Sequence, residues 1–194
     1  MNILSKTLPF LLLSSFVIAE ESGYIGAGFS SGTGTQHRNY ETGVQESTDY
    51  DVGTFELRGG LIDDSNDRFV GSISFISASA TKGDFSANTS GYTDSSFYIH
   101  LTGSKVWTIG SFEHFAPFVG LGLGINTNTS LDSNATSNES AEGLSGEMSA
   151  GLLIAFAGLE IEVSVKSSYG FWTNEGPSIT DGMTTYYVGL NFWD

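Results

Sequence analysis

The segment LEIEVSVK, from Leu159 to Lys166, decides the fold class of this sequence. Apolar side chains alternate with polar or charged ones, so the pattern repeats every two residues. Successive side chains of a β-strand point to opposite faces of the sheet, so this period predicts a strand with one apolar face and one polar face. The apolar face carries Leu159, Ile161, Val163 and Val165, and the polar face carries Glu160, Glu162, Ser164 and Lys166.

The same alternation recurs in other parts of the chain. The apolar positions of these further segments are Phe55 and Leu57; Phe69, Ile73 and Phe75; Phe97, Ile99 and Leu101; Val119, Leu121 and Leu123; and Val188, Leu190 and Phe192. A soluble β-sandwich also alternates, but it turns its apolar residues inward. The period alone therefore leaves open whether the apolar face contacts lipid or a protein core.

The number of strands and the spacing between them favour a membrane barrel. We predict strands near residues 22–31, 51–61, 68–79, 95–105, 115–126, 146–156, 159–170 and 183–193. An even number of strands of about ten residues each is typical of bacterial barrels. The connections alternate between long polar ones and short turns, as in barrels with long outer loops and short periplasmic turns. We therefore predict an all-β fold, an eight-stranded antiparallel up-and-down transmembrane β-barrel.

The N-terminal residues have the layout of a secretory signal peptide. Lys6 precedes an apolar run of about eleven residues, shorter than the roughly 20 that a membrane-spanning helix needs. We predict a cleaved signal peptide at residues 1–19 and one barrel domain at residues 20–194. Export by this route gives a predicted location in the cell outer membrane.

The composition excludes several classes of function. The chain has no cysteine, which excludes disulfides, thiolate metal sites and a cysteine nucleophile. Its formal net charge of -15 makes nucleic acid an unfavourable partner because phosphates would be repelled. We predict no cofactor and no metal site.

Two stretches carry a family resemblance. Pro117 to Gly124 combines a proline and an aromatic residue with alternating glycines, and Tyr187 to Phe192 is an aromatic-rich final strand. With these stretches as its most specific residues, the whole mature chain resembles the small eight-stranded outer-membrane barrels of the OmpX-like and opacity-protein-like group. The family commonly ends on an aromatic residue, whereas Asp194 follows Trp193 here. The resemblance implies outer-membrane lipid and the barrel-assembly machinery as partners.

If the apolar faces point to lipid, charged side chains fill the barrel interior. This predicted lumen charge network is Glu56, Arg58, His100, Glu160, Glu162 and Lys166. Buried charges must pair or be hydrated, and eight strands enclose little more than side chains, so we interpret the set as a structural network. Because acids outnumber bases, a narrow cation-favouring, porin-like channel is the alternative.

The sequence offers little for catalysis. His37, His100 and His114 are scattered along the chain, and no acid motif lies beside His100 and Thr102. We predict no catalytic residue and no enzymatic activity. The alternative is a barrel enzyme that acts on lipid and uses His100.

The predicted function is therefore presentation of a surface. The long loops are polar and acidic, and loops of such barrels carry partner binding. We predict a structural or surface-interaction role of the adhesion type, with an extracellular ligand or a host surface as partner. A secreted soluble β-sandwich that binds a ligand is the remaining alternative.

Overall fold

The computed structural model describes residues 22–39, 43, 45–83, 95–110, 114–129, 140–156, 158–173 and 178–193. These residues form eight strands: β1 (Ser22–Asn39), β2 (Gln45–Ile62), β3 (Arg68–Gly83), β4 (Ser95–Thr108), β5 (Phe115–Thr129), β6 (Ser140–Phe156), β7 (Leu159–Thr173) and β8 (Ser178–Trp193). The predicted signal peptide lies outside the described residues, so its cleavage and the domain boundary at residue 20 stay predictions.

The eight strands close into a barrel. Each strand pairs antiparallel with the next, and β1 pairs with β8. The predicted fold, an eight-stranded antiparallel up-and-down β-barrel, is confirmed. Following the paired residues once around the barrel from Gly26 leads back to β1 at Gln36, ten residues further on. A stagger of this kind means that the strands are tilted against the barrel axis.

No helix within the described residues is long and apolar enough to cross a membrane.

The strands are longer than the alternating apolar pattern predicts, and the extra length lies almost entirely at one end of the barrel. β1 continues to Asn39 where residues 22–31 were expected, and β2 begins at Gln45 where residue 51 was expected. Much of the polar sequence assigned to long loops is therefore paired strand. The remaining connections at this end, 40–44, 84–94, 130–139 and 174–177, lie almost wholly outside the described residues. We call this end the loop end and the opposite one the turn end.

The turn between β2 and β3 shows how the turn end is built. The Asp63 carboxylate accepts hydrogen bonds from the backbone N–H groups of Ser65 (2.9 Å) and Asp67 (3.0 Å). Asn66 has a φ of 61°, a left-handed conformation that asparagine tolerates better than most residues. In the turn between β6 and β7, Gly158 has a φ of 83°, which glycine adopts without steric cost.

The two faces of the barrel wall differ in polarity. Large apolar side chains lie exposed on the outer face, with Leu123 77% and Ile25 70% exposed. The inner face carries buried charged and polar groups between two apolar clusters. The loop-end cluster comprises Tyr50, Val52, Ile76, Ala78, Tyr98 and Trp172, and the turn-end cluster comprises Tyr24, Val70, Val106, Phe118 and Leu153.

Candidate functional site

Arg58 on β2 lies in the middle of the barrel interior. Its Nη1 donates to Glu162 Oε2 on β7 at 2.6 Å, and its Nε lies 3.7 Å from Glu56 Oε1. Ser164 Oγ donates to the other oxygen of Glu162 at 2.9 Å. These three charged side chains are buried, where water does not reach them freely. Each charge is therefore stabilised mainly by its ion-pair and hydrogen-bond partners.

Lys166 on β7 adds a further ion pair on the loop-end side of Arg58. We call the connected ion pairs of the interior the ion-pair layer. Its Nζ lies 2.9 and 2.7 Å from the two carboxylate oxygens of Glu56. Ser74 Oγ also donates to Glu56, at 3.2 Å. Glu56 thus bridges Lys166 and Arg58, and the two strands β2 and β7 are joined across the interior.

A third cation, which the sequence analysis did not include, completes the layer toward the turn end. Arg68, the first residue of β3, binds Glu160 through both terminal nitrogens, at 2.5 and 2.6 Å. Asn191 Nδ2 donates to the same carboxylate at 2.9 Å. Arg68 directly follows the Asp-rich turn in the sequence. Because the inward positions of β3 recur every second residue, Arg68 shares a face with Val70, and this alternation could have identified it.

Tyr187 on β8 fits between these charges because its neighbours are glycines. The guanidinium carbon of Arg58 lies 4.5 Å from the Tyr187 ring centroid, and Lys166 Nζ lies 4.2 Å from it. A Cβ at Gly28 or Gly189 would overlap the phenol group. The glycines on β1 and β8 therefore leave the space that the Tyr187 ring needs to cover the ion pairs.

His100 is one of the most deeply buried residues, and it takes no part in an ion pair of the described residues. Its Nε2 lies 2.7 Å from Ser145 Oγ on β6. Thr102, the nearby hydroxyl on the same strand, is hydrogen-bonded to Ser72 and not to His100. The space beside His100 at Gly124 is closed, because a Cβ there would overlap the imidazole.

Glu147 on β6 is a further interior acid that the sequence analysis omitted. It lines a small enclosed space of about 20 Å³ together with Glu56, His100 and Lys166. This volume is near that of a single water molecule. The interior is therefore almost completely filled at this level.

Asp181 on β8 closes the loop end of the interior with Tyr50, whose hydroxyl donates to its carboxylate. Beyond Tyr186 the outward positions of β8 are Thr184, Gly182 and Thr180, so Asp181 lies beyond the apolar part of its own strand, level with the exposed aromatic Phe171 at the end of the apolar part of β7. Burial raises the pKa of Asp181 to about 7.

At the turn end the interior opens into a cavity of about 320 Å³. Arg68 and Glu160 form part of its wall, beside Leu153, Phe115 and Trp193. The cavity ends where the turn-end cluster fills the barrel.

The structure turns the predicted lipid-facing residues to the outer face, where each alternates with an inward neighbour. They are Phe55, Leu57, Phe69, Ile73, Phe75, Phe97, Ile99, Leu101, Val119, Leu121, Leu123, Leu159, Ile161, Val163, Val165, Val188, Leu190 and Phe192. Sequence analysis left out other exposed outward residues, among them Phe29, Leu144 and Met148. Their contact with lipid stays a prediction.

Groups of three or more His, Asp or Glu side chains suited to a metal ion are absent from the part of the chain that the structure describes.

The closed barrel, its apolar outer wall and its charged, filled interior define a small outer-membrane-type β-barrel. The crystal structure of Neisserial surface protein A matches the chain with a TM-score of 0.62 and 11% identity, covering 90% of this chain and 99% of that one. The N-terminal barrel of Pseudomonas aeruginosa OprF (TM-score 0.44, 15% identity, 86% and 97% coverage) and Yersinia pestis Ail (0.38, 15%, 86% and 98%) also match. No protein-family model and no curated protein matches the sequence.

Proposed function

We propose that this chain is an exported outer-membrane protein whose closed barrel holds an acidic surface outside the cell, where it interacts with an extracellular ligand or a host surface. In this proposal residues 1–19 are removed as a signal peptide, the barrel-assembly machinery inserts the chain, and lipid covers the apolar wall. The turn end then faces the periplasm, as in barrels with short periplasmic turns.

The observation that carries the proposal is the polarity of the wall. An inverted arrangement, with charges buried and large apolar side chains exposed around the whole circumference, is unfavourable in water and favourable in a bilayer. The soluble β-sandwich is disfavoured for the same reason. The barrel serves as the anchor, and the loop end is the part available to partners.

The packing of the interior favours an anchor over a channel or an enzyme. Apolar clusters lie on both sides of the ion pairs that Arg58 and Lys166 make, and the space beside Glu56, His100 and Lys166 is of water size. His100 faces this closed interior, away from any lipid substrate. We therefore propose neither conduction nor catalysis.

The loop end has a suitable charge for binding a basic partner surface. Asp49 and Asp51 extend beyond the apolar band on the exposed outer side of β2, and Glu142 is exposed on β6. Complementary charge speeds encounter and gives specificity at such surfaces.

The location is tested first, by gel mobility of boiled and unboiled samples of purified outer membranes. We expect the chain in this fraction, with faster migration when unboiled. Recovery in the soluble fraction without a mobility shift would contradict the proposed location.

The surface role is tested by adhesion of cells that express the chain to cultured epithelial cells. The double variant Asp49→Asn/Asp51→Asn should adhere less while its unboiled band still migrates faster, because the barrel is intact. The matched control Asp63→Asn/Asp64→Asn removes the same charge at the turn end and should adhere normally. Equal adhesion by cells that lack the chain would overturn the surface role.

A further inference from the structure

An open groove crosses the outer face of β2, β3 and β4. Its floor is a row of paired glycines, Gly59, Gly71 and Gly103, and its volume is about 580 Å³. Larger side chains border it, including Ile73 toward the loop end and Phe69 toward the turn end. A Cβ at Gly103 meets nothing within 4 Å, so the groove is open on β4.

A single cation lies at the turn end of this groove. Lys105 follows Gly103 by two residues along β4 and points outward. Its Nζ lies 4.8 Å from the Phe69 ring centroid, 5.8 Å from that of Trp107 and 3.5 Å from Asp67 Oδ2. The aliphatic stem therefore lies along the apolar wall while the ammonium reaches the β2–β3 turn, as expected of a lysine at the edge of a membrane.

The charges around Lys105 limit which lipid head group could bind beside the groove. Among the lysines and arginines whose side chains the structure describes, Lys105 alone faces outward, since Arg58, Arg68 and Lys166 lie inside. Asp67 is beside it, and the same turn carries Asp63 and Asp64. A purely anionic head group would gain one cation and be repelled by several carboxylates.

We propose that the groove binds one phospholipid whose head group carries both a phosphate and a primary ammonium, a phosphatidylethanolamine. The phosphate pairs with Lys105, the ammonium pairs with Asp67, and one acyl chain lies on the floor formed by Gly59, Gly71 and Gly103. The groove lies on the membrane side of Lys105, which is the direction an acyl chain takes from its head group. This inference rests on the proposed membrane location.

Trp107 provides a direct readout. It faces outward beside Lys105, whereas Trp172 and Trp193 point into the barrel, so bromine atoms on lipid chains should quench Trp107 preferentially. The full barrel is reconstituted in phosphatidylcholine vesicles that contain equal small fractions of brominated phosphatidylethanolamine, phosphatidylglycerol or phosphatidylcholine. We expect phosphatidylethanolamine to occupy the site about two- to fivefold more than either other lipid, the factor that an exposed ion pair supplies.

Two variants separate the head-group contact from the groove. Lys105→Met keeps the apolar stem and should abolish the preference among the three lipids. Gly103→Leu fills the groove and should lower quenching by all of them. Gly53→Leu, at an outward glycine with equally open surroundings outside the groove, should behave like the unmodified chain.

The outcomes distinguish this inference from the proposed location. Absence of quenching by every brominated lipid means that the barrel is not inserted, so the location fails. Equal quenching by the three lipids, with Trp107→Phe removing it, means that the barrel is inserted and that the lipid site is wrong. Stronger quenching by phosphatidylglycerol would overturn the role of Asp67.

Discussion

Arg58 shows what a charge does inside this barrel. Its guanidinium joins Glu162 and Glu56 from different strands, and Tyr187 covers it. A buried ion pair adds little net stability compared with apolar groups of the same size, but a single broken partner leaves a buried charge alone. A substitution that removes only one partner of the pair should therefore destabilise the barrel more than a substitution that replaces both.

Removing one partner of this pair should destabilise the barrel strongly. We expect Arg58→Ala to lower the free energy of unfolding by about 3–5 kcal/mol, because Glu162 keeps only Ser164. The double variant Arg58→Met/Glu162→Met should recover most of this loss. Urea unfolding in detergent micelles, followed by tryptophan fluorescence, measures both. A loss for Arg58→Ala of only about 0–1 kcal/mol, typical of an exposed pair, would contradict the buried network.

The raised pKa of Asp181 makes the free energy of unfolding depend on pH. With its pKa raised to about 7, the folded chain keeps a proton that the unfolded chain releases near pH 4, so this residue stabilises the fold at low pH. That contribution falls as the pH rises from about 4 to 7.

Comparison with an uncharged residue isolates this effect. We expect Asp181→Asn, which still accepts the Tyr50 hydrogen bond, to become more stable relative to the unmodified chain between pH 4.5 and 7.5, by at most about 4 kcal/mol. Urea unfolding at the two pH values measures the difference. A constant difference between Asp181→Asn and the unmodified chain at the two pH values would refute the assignment.

The seam between β1 and β8 closes the barrel, and glycines make it possible. Gly28 lies directly beneath Tyr187, and a Cβ there would overlap the phenol and lie 2.7 Å from the Val188 carbonyl oxygen. We expect Gly28→Ala to destabilise the fold by about 1–3 kcal/mol, as overpacking does. Gly53→Ala, whose Cβ meets nothing within 4 Å, should be neutral or slightly stabilising. Equal stability of the two variants would show that the seam can relax around an extra methyl group.

Except on β4, which begins at residue 95 as predicted and ends three residues later than predicted, the turn-end boundaries of the strands were predicted closely and the loop-end boundaries were not. At the turn end, the Asp63 turn and Gly158 mark where the chain reverses. At the loop end, hydrogen bonding continues between β1 and β2 from Thr33 and Asp51 to Asn39 and Gln45. Outside the apolar band both faces are polar, so the two-residue alternation disappears although the backbone pairing does not.

The interior charges were predictable only as a set. Alternation places Glu56, Arg58 and Glu162 on one face, but which acid meets which base depends on the stagger of the closed barrel. Arg68 and Glu147 were missed for local reasons: Arg68 begins a strand next to an acidic turn, and Glu147 lies in a stretch of small residues, Ser145 to Ala150, with weak contrast between the faces.

At the scale of the whole molecule, the interior consists of three layers that together block the barrel. The loop-end cluster and the turn-end cluster lie on either side of the ion pairs between Arg58, Lys166 and their carboxylates, and Tyr187 lies across these pairs. The Arg68–Glu160 pair borders the turn-end cavity. A path for ions would have to pass both apolar layers and the paired carboxylates. Arg68 neutralises Glu160, but Glu147 adds a further interior acid, so the case against a channel rests on the apolar layers and not on the balance of charge.

Conductance separates a blocked barrel from a channel. In planar bilayers we expect no regular current steps from the unmodified chain, because two apolar layers cross the interior and Glu56, Glu160 and Glu162 are bound to arginine or lysine. A channel that uses these acids would conduct, and Glu160→Gln/Glu162→Gln would lower its current.

In the blocked barrel the same double variant leaves Arg68 and Arg58 without their carboxylates, so it should lower the urea midpoint without reducing any current. Asp51→Asn, at an exposed acid on β2, should change neither quantity. Regular cation-selective steps that fall with neutralisation of Glu160 and Glu162 would show that the three layers open in a membrane.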